Sequence, residues 1–114
     1  MKKYSNNIFH IAFKDILEEK GVKLRGLASR TNLNYTYFSK LKNREKSPPI
    51  KTIEIIARGL RIDPEYFLEY RMYKVTDFLM KNPDYLEAVI SYIDNLREKR
   101  ALRVAESGRP FKDQ

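Results

Sequence analysis

The sequence predicts an all-α fold, with five short helices in a compact bundle and a long sixth helix after them. Apolar residues recur three and four positions apart through most of the 114 residues, and this spacing places them on one face of a helix. Two such stretches follow Asp63-Pro64 and Asn82-Pro83, which are helix-start signals because proline is tolerated in the first helical turn. No stretch alternates apolar and polar residues as a β-strand does.

Residues 24–44 contain two short amphipathic stretches separated by a tight turn. Their inward faces are Leu24, Leu27, Ala28 and Thr31, and then Tyr37, Phe38 and Leu41. Asn32 tolerates a left-handed backbone and can turn the chain, while Asn34 can cap the second helix by accepting a backbone N–H bond. Leu33, between them, is apolar, which predicts that the turn is buried. This pattern is typical of a helix-turn-helix.

The other helix boundaries follow from capping residues, glycines and prolines. Asn6 or Asn7 is the predicted N-cap of the first helix, and Gly21 stops it. Ser47 before two prolines predicts the start of the fourth helix. In chain order the predicted helices cover about residues 8–20, 24–31, 35–43, 49–60, 64–81 and 83–105.

The net charge of +8 is concentrated in one part of the chain. Residues 1–22 hold four Lys/Arg and three Asp/Glu, and residues 63–114 hold nine and ten. Residues 23–62 hold ten Lys/Arg against two Asp/Glu, which gives this segment alone a net charge of +8. A scattered charge would serve solubility, whereas a basic block within and just after a helix-turn-helix is typical of a protein that binds a polyanion.

Several classes of protein are disfavoured by what the sequence lacks. It has no cysteine, so neither a disulfide framework nor a thiolate metal site is expected. The lysines near the N-terminus precede no apolar run, so this segment is not expected to be a signal peptide. No stretch approaches the ~20 apolar residues of a membrane span. A cytoplasmic protein with no membrane partner is therefore expected.

No constellation of residues predicts catalysis, a metal site or a cofactor. The sequence has no nucleophile–base pair, metal-ligand spacing or glycine-rich phosphate loop. His10, the single histidine, is interpreted as structural because no acid, thiol or second histidine accompanies it. Four acidic residues of the C-terminal half are interpreted as solvated, and four regularly spaced aromatic residues as core or interface. These sets are Asp77, Asp84, Glu87 and Asp94, and Tyr66, Phe67, Tyr70 and Tyr73.

Three stretches occur in a characteristic order: LRGLASRTNLNYTYFSKLKN, a Ser-Pro-Pro loop, and IKTIEIIARGLRIDPEYF. With these, residues 13–68 resemble the lambda-repressor-like helix-turn-helix family of transcriptional regulators, also called the XRE family. The resemblance covers about half of the chain, and its spacing agrees throughout. The core positions of the family fall on Leu27-Ala28, Phe38, Ile56-Ala57, Leu60 and Ile62.

Three positions depart from the family pattern. Asn32 stands in the turn where the family usually has glycine, and Arg44 replaces a glycine after the third helix and adds charge there. The family often has glutamine at the start of the second helix, where the amide touches a phosphate and braces the third helix. That position is Leu24 in this chain, so this contact is not expected.

The resemblance implies a DNA-binding regulator whose third helix reads bases. The base-reading positions fall on Tyr35, Thr36, Ser39 and Lys40. The predicted phosphate contacts are Lys23, Arg25, Asn34, Lys42, Asn43, Arg44 and Lys46. The alternative for Tyr35 is a surface aromatic side chain packed on a neighbour, and the alternative for any single lysine is a solvated charge. Double-stranded DNA is thus the expected partner, and no cofactor is expected.

The second half of the chain lies beyond the part that resembles the family. Residues 1–70 are expected to form the DNA-binding domain, residues 71–106 a C-terminal helical extension, and residues 107–114 a disordered tail. The sixth helix carries a wide apolar stripe of Leu86, Val89, Ile90, Ile93 and Leu96. This stripe could pack on the fifth helix or on a second subunit, and a homodimer is the prediction. An antitoxin-like or phage-type adaptor, whose helical tail binds another protein, is the alternative function.

Overall fold

The computed structural model describes residues 3–44 and 46–106, apart from the side chains of residues 104–106. The helices are α1 (Phe9–Lys20), α2 (Leu24–Thr31), α3 (Tyr35–Leu41), α4 (Ile50–Leu60), α5 (Leu68–Lys81) and α6 (Leu86–Glu106). One-turn 3-10 helices, Pro64–Tyr66 and Pro83–Tyr85, precede α5 and α6. The described residues contain no strand, so the predicted all-α fold is confirmed. The predicted disordered tail lies outside the described residues.

The chain divides into two compact units, Met1–Thr76 and Asp77–Gln114. α5 contributes to both, because it runs across the boundary between them. The domain boundary predicted after residue 70 stays a prediction. None of the helices described has the length and hydropathy needed to cross a membrane.

The core of the first unit is built from α1 to α4 and the segment that precedes α5. The buried apolar residues are Phe9, Ala12, Phe13, Ile16, Leu17, Leu27, Phe38, Leu41, Ile53, Ile56, Ala57, Leu60, Tyr66 and Phe67. The Phe13 ring lies 5.5 Å from Phe9 and 6.0 Å from Phe38 between centroids. Aromatic pairs at this separation are favourable beyond the area that they bury. Phe38 therefore fixes α3 against α1 and leaves the opposite side of α3 free to face outward.

The predicted helix ends around the turn are confirmed. Gly21 ends α1 in the left-handed conformation with φ 63°, and Asn32 ends α2 with φ 59°. The Asn34 side chain caps α3 by accepting a 2.7 Å hydrogen bond from the backbone N–H of Thr36. Leu33 in the turn is partly buried against the core. The helix-turn-helix is thus specified by residues within the segment itself.

The predicted N-cap of α1 is wrong, and a partly buried carboxylate takes its place. Neither Asn6 nor Asn7 caps α1; its N-cap is Ile8, which has no capping side chain. The Phe9 N–H instead donates to Oε2 of Glu69 at 3.0 Å. α4 begins at Ile50, one residue after the start predicted from Ser47 and the two prolines. The Ser47 hydroxyl donates to the same Glu69 oxygen at 3.1 Å.

The start signals of the last two helices produce short 3-10 turns before the helices. Asp63 caps the first of these by accepting from Glu65 N–H at 2.8 Å, but Phe67 is extended and α5 begins only after it. The extended backbone accompanies complete burial of the Phe67 ring in the core. Asn82, in the second of these signals, makes no capping hydrogen bond with its side chain. Its side-chain amide instead donates to the Phe78 carbonyl at 2.9 Å. α3 also ends at residue 41, two residues earlier than predicted.

Gly59 permits a close approach of α4 to α2. A Cβ atom at this position would lie 2.6 Å from Cγ2 of Thr31 and 2.9 Å from Cδ1 of Leu27. Both distances are shorter than real carbon contacts allow, so a larger residue would push the two helices apart. The sequence gives no sign of this role, because the glycine sits inside an otherwise regular helical pattern.

We expect Gly59→Ala to lower the free energy of unfolding by roughly 1–3 kcal/mol, because overpacking outweighs the gain of up to ~1 kcal/mol in helix propensity. Gly26→Ala in α2 is the matched control, since nothing lies within 4 Å of a Cβ built there. That control is expected to be neutral or slightly stabilising. Urea unfolding of both variants measures the difference, and equal stability would contradict the steric argument.

Candidate nucleic-acid interface

α3 presents the predicted base-reading residues on the side that faces away from the core. Phe38 and Leu41 are buried, and Tyr37 is half-buried. The four predicted readers lie on the opposite half of the helix surface, and all are exposed: Tyr35, Thr36, Ser39 and Lys40. An exposed helix face that carries hydroxyl groups and an ammonium group can donate to and accept from base edges in a major groove.

The predicted phosphate contacts are all exposed, and they surround α3. Lys23 is the N-cap of α2, and Arg25 lies in its first turn. Lys42 is the C-cap of α3, and the following two residues form a tight turn whose N–H groups donate to the Lys40 and Leu41 carbonyls. The full set is Lys23, Arg25, Asn34, Lys42, Asn43, Arg44 and Lys46. Flexible cationic and amide side chains in such positions are suited to phosphate oxygens.

A shallow groove brings members of both predicted sets together. Its lining consists of Asn34, Thr36, Tyr37, Lys40, Asn43 and Arg44. Thr36 and Lys40 are predicted to read bases, whereas Asn34, Asn43 and Arg44 are predicted to bind phosphate. The charged residues described in this lining are both basic. The groove can therefore attract a polyanion while it presents hydrogen-bonding groups.

The loop that carries Lys46 is anchored to the core. Pro48 is buried, and Ser47 is held by Glu69 of α5, which also binds the start of α1. Sequence reasoning missed Glu69, and no local signal could have found it, because its partners lie 22 and 60 residues away. Anchoring limits the freedom of the backbone next to Lys46.

A second set of contacts attaches the N-terminal segment to α5. Arg71 donates to the Ser5 carbonyl and, at 3.1 Å, to the side-chain oxygen of Asn6. Its guanidinium lies 4.8 Å from the centroid of the Tyr4 ring. The Ser5 N–H donates to the Tyr66 carbonyl at 2.8 Å. The N-terminal segment thus packs against Arg71 and Tyr66. The side chains of Tyr4 and Asn6 contact Arg71 and not α3.

The residues interpreted as structural are mostly inside the domain. Tyr66 and Phe67 are buried, Tyr70 packs against the core, and Tyr73 is exposed. Burial raises the pKa of the Tyr66 phenol above its ordinary value. Burial and the Glu54 carboxylate, which accepts a hydrogen bond from the Tyr70 hydroxyl at 3.1 Å, raise the pKa of Tyr70. Within the described residues, no group of acidic or histidine side chains could hold a metal ion.

The fold and this surface define a helix-turn-helix DNA-binding protein. The sequence profile of the Cro/C1-type HTH DNA-binding domain matches residues 13–71, which is just over half of the chain. The chain therefore belongs to this family, and the resemblance to XRE-type regulators is confirmed. It is a DNA-binding transcription regulator.

Among solved structures, the chain is similar to the wild-type restriction-modification controller protein C.Esp1396I. The two are 29% identical, with a TM-score of 0.48 over 60% of this chain and 88% of that one. Two point mutants of the same controller protein match at 28% and 30% identity. Their TM-scores are 0.48 and 0.47, over 59% and 58% of this chain and 89% and 88% of theirs. No curated protein matches the chain.

Proposed function

We propose that the protein binds a specific sequence in double-stranded DNA and represses or otherwise regulates transcription there. α3 enters the major groove, in the docking geometry known for repressors of this fold. The observation that carries the proposal is the position of the exposed polar face of α3. It lies inside residues 23–62, the segment that holds a net charge of +8.

The two sets of side chains have different tasks in this proposal. Tyr35, Thr36, Ser39 and Lys40 contact base edges, where the donor and acceptor pattern distinguishes the base pairs. The surrounding cations and amides contact phosphates, which fix the register of the protein but carry no sequence information. The N-terminal end of α3 is closest to the bases, because that end of a recognition helix enters the groove first.

We further propose that a homodimer binds a two-fold symmetric site. Two subunits place two copies of α3 about one turn of DNA, ~34 Å, apart. The support is α6, which presents apolar residues on its surface: Leu86, Ile90, Ile93 and Leu96 are each more than 40% exposed, and Val89 is half-buried. The same exposed stripe supports the alternative of an antitoxin-like or phage-type adaptor, in which it binds another protein.

Substitutions in α3 test the division of tasks. The preferred duplex is first selected from a random DNA pool, and affinities are then measured for it and for a random duplex. Thr36→Ala and Lys40→Ala should each weaken binding to the preferred duplex by roughly 1–3 kcal/mol and relax the preference for it. Lys46→Ala should weaken binding to both duplexes about equally, because phosphates are common to all sequences.

Lys99→Ala provides the control, since Lys99 is an exposed lysine of α6 outside the basic block. It removes the same charge as Lys40→Ala and should leave both affinities nearly unchanged. If Thr36→Ala and Lys40→Ala lose equal affinity on the preferred and the random duplex, α3 does not read bases and the proposal is wrong on that point.

A further inference from the structure

The start of α2 contains a contact that the family pattern does not supply. The position where the family often has a glutamine is Leu24, and its side chain packs partly buried against the core. The next residue, Arg25, places its guanidinium over the Tyr35 ring, with Cζ 4.6 Å from the ring centroid. Tyr35 is the first residue of α3. A side chain of α2 therefore touches the residue at which the recognition helix begins.

This contact is a cation–π interaction on the surface of the domain. Arginine stacks on an aromatic ring through the flat face of its guanidinium, so the N–H donors around its edge stay available. Both residues are exposed, and Tyr35 keeps 40% of its surface accessible. Within the described part of the chain, neither side chain makes a hydrogen bond. The stack thus holds the ring while the phenol hydroxyl and the guanidinium edge remain free to bind a ligand.

The surroundings of the stack are those of a DNA contact. Arg25 and Tyr35 line a depression together with Lys23 and Lys42, both predicted phosphate contacts. The lining also includes Lys14, and Glu18 is the acidic residue described there. Four cations against one carboxylate favour an anionic occupant. The lining also includes the apolar residues Leu17 and Val22.

We infer that Arg25 is a positioning residue for sequence recognition and that Arg25 and Tyr35 meet DNA as one unit. This inference rests on the proposed function and extends it, because Arg25 would otherwise be one of several independent phosphate contacts. An unrestrained tyrosine at the first position of a seven-residue helix samples several rotamers and loses that freedom on binding. The guanidinium restricts the ring beforehand, so less entropy is lost when Tyr35 contacts a base.

A double-mutant cycle tests the inference through the ratio of affinities for the preferred and the random duplex. Arg25→Lys keeps the charge and loses the planar stack. It should lower this ratio about five-fold and leave binding to the random duplex nearly unchanged. Tyr35→Leu removes the ring, and in that background Arg25→Lys should not change the ratio further. Tyr35→Phe keeps the ring, so the effect of Arg25→Lys should persist in that variant.

The controls separate positioning from folding and from charge. Both residues are exposed, so thermal unfolding midpoints should fall by no more than a few degrees in any variant, and every variant should remain folded. Arg103→Lys makes the same exchange of cations at an exposed position of α6 outside the basic block and should leave the ratio unchanged. An Arg25→Lys effect on the ratio that is absent, or equally large with and without the Tyr35 ring, overturns the inference. A wild-type protein with no preference between the duplexes overturns the proposed function as well, so the two failures are distinguishable.

Discussion

Raising the salt concentration from about 50 to about 200 mM should weaken binding to duplex DNA roughly 250- to 1,000-fold per subunit. The physical reason is counterion release, since each phosphate that a cation neutralises returns a condensed ion to solution. Residues 23–62 carry the whole net charge of +8, and we expect them to engage about 4 to 6 phosphates per subunit. The slope of log K against log salt is then about −4 to −5 per subunit.

Affinities at several salt concentrations, on a duplex of fixed length, measure this slope. Lys46→Ala should reduce its magnitude by about 1, because one phosphate contact is lost. Lys99→Ala in α6 should leave it unchanged, since this residue lies outside the basic block. A wild-type slope near zero would contradict DNA binding through this surface.

The helix-turn-helix could be predicted because its determinants are close together in sequence. The left-handed backbone of Asn32 and the cap from Asn34 to the Thr36 N–H involve residues only a few positions apart. The burial of Phe38 and Leu41 follows from their three-residue spacing on one helix. Once these are fixed, the polar residues of α3 have no place except the outer face, so their exposure was also predictable.

The predicted N-cap of α1 failed because a residue distant in sequence accepts the hydrogen bond that a neighbouring side chain was expected to accept. Asn6 and Asn7 are good capping residues by local rules, yet Glu69 supplies the hydrogen bond at the start of α1. Its carboxylate is brought there by the packing of α5, which local sequence does not encode.

Tertiary packing also determines two other features that local patterns do not show. Phe67 interrupts a continuous helical pattern, because its ring occupies the core. Gly59 looks like a weak point in α4, whereas its missing side chain is what allows α2 to approach. In the candidate site, the sequence indicated Arg25 and Tyr35 separately. The contact between them depends on how α2 and α3 meet across the turn, so it became visible only in the fold.

The second large effect is expected from α6, at the surface that we propose for dimerisation. Ile90 is 56% exposed, Ile93 is 41% exposed and Leu96 is 46% exposed. Removing apolar area from water stabilises by roughly 25 cal/mol per Å², so this stripe gains free energy when a partner covers it. A second copy of α6 offers the same stripe, and a two-fold axis makes one patch complementary to itself.

We therefore expect Ile90→Glu combined with Ile93→Glu to yield monomers, because association would bury two unpaired carboxylates. Ser91→Glu with Asn95→Glu adds the same charge to exposed positions on the opposite side of α6 and should leave the dimer intact. Sedimentation velocity at micromolar concentration distinguishes the two forms. Loss of the second subunit should weaken binding to a two-fold site by about 100-fold or more, since the two half-sites no longer act together. A wild-type protein that sediments as a folded monomer, or dimers that survive both glutamates in the stripe, would show that α6 does not join the subunits.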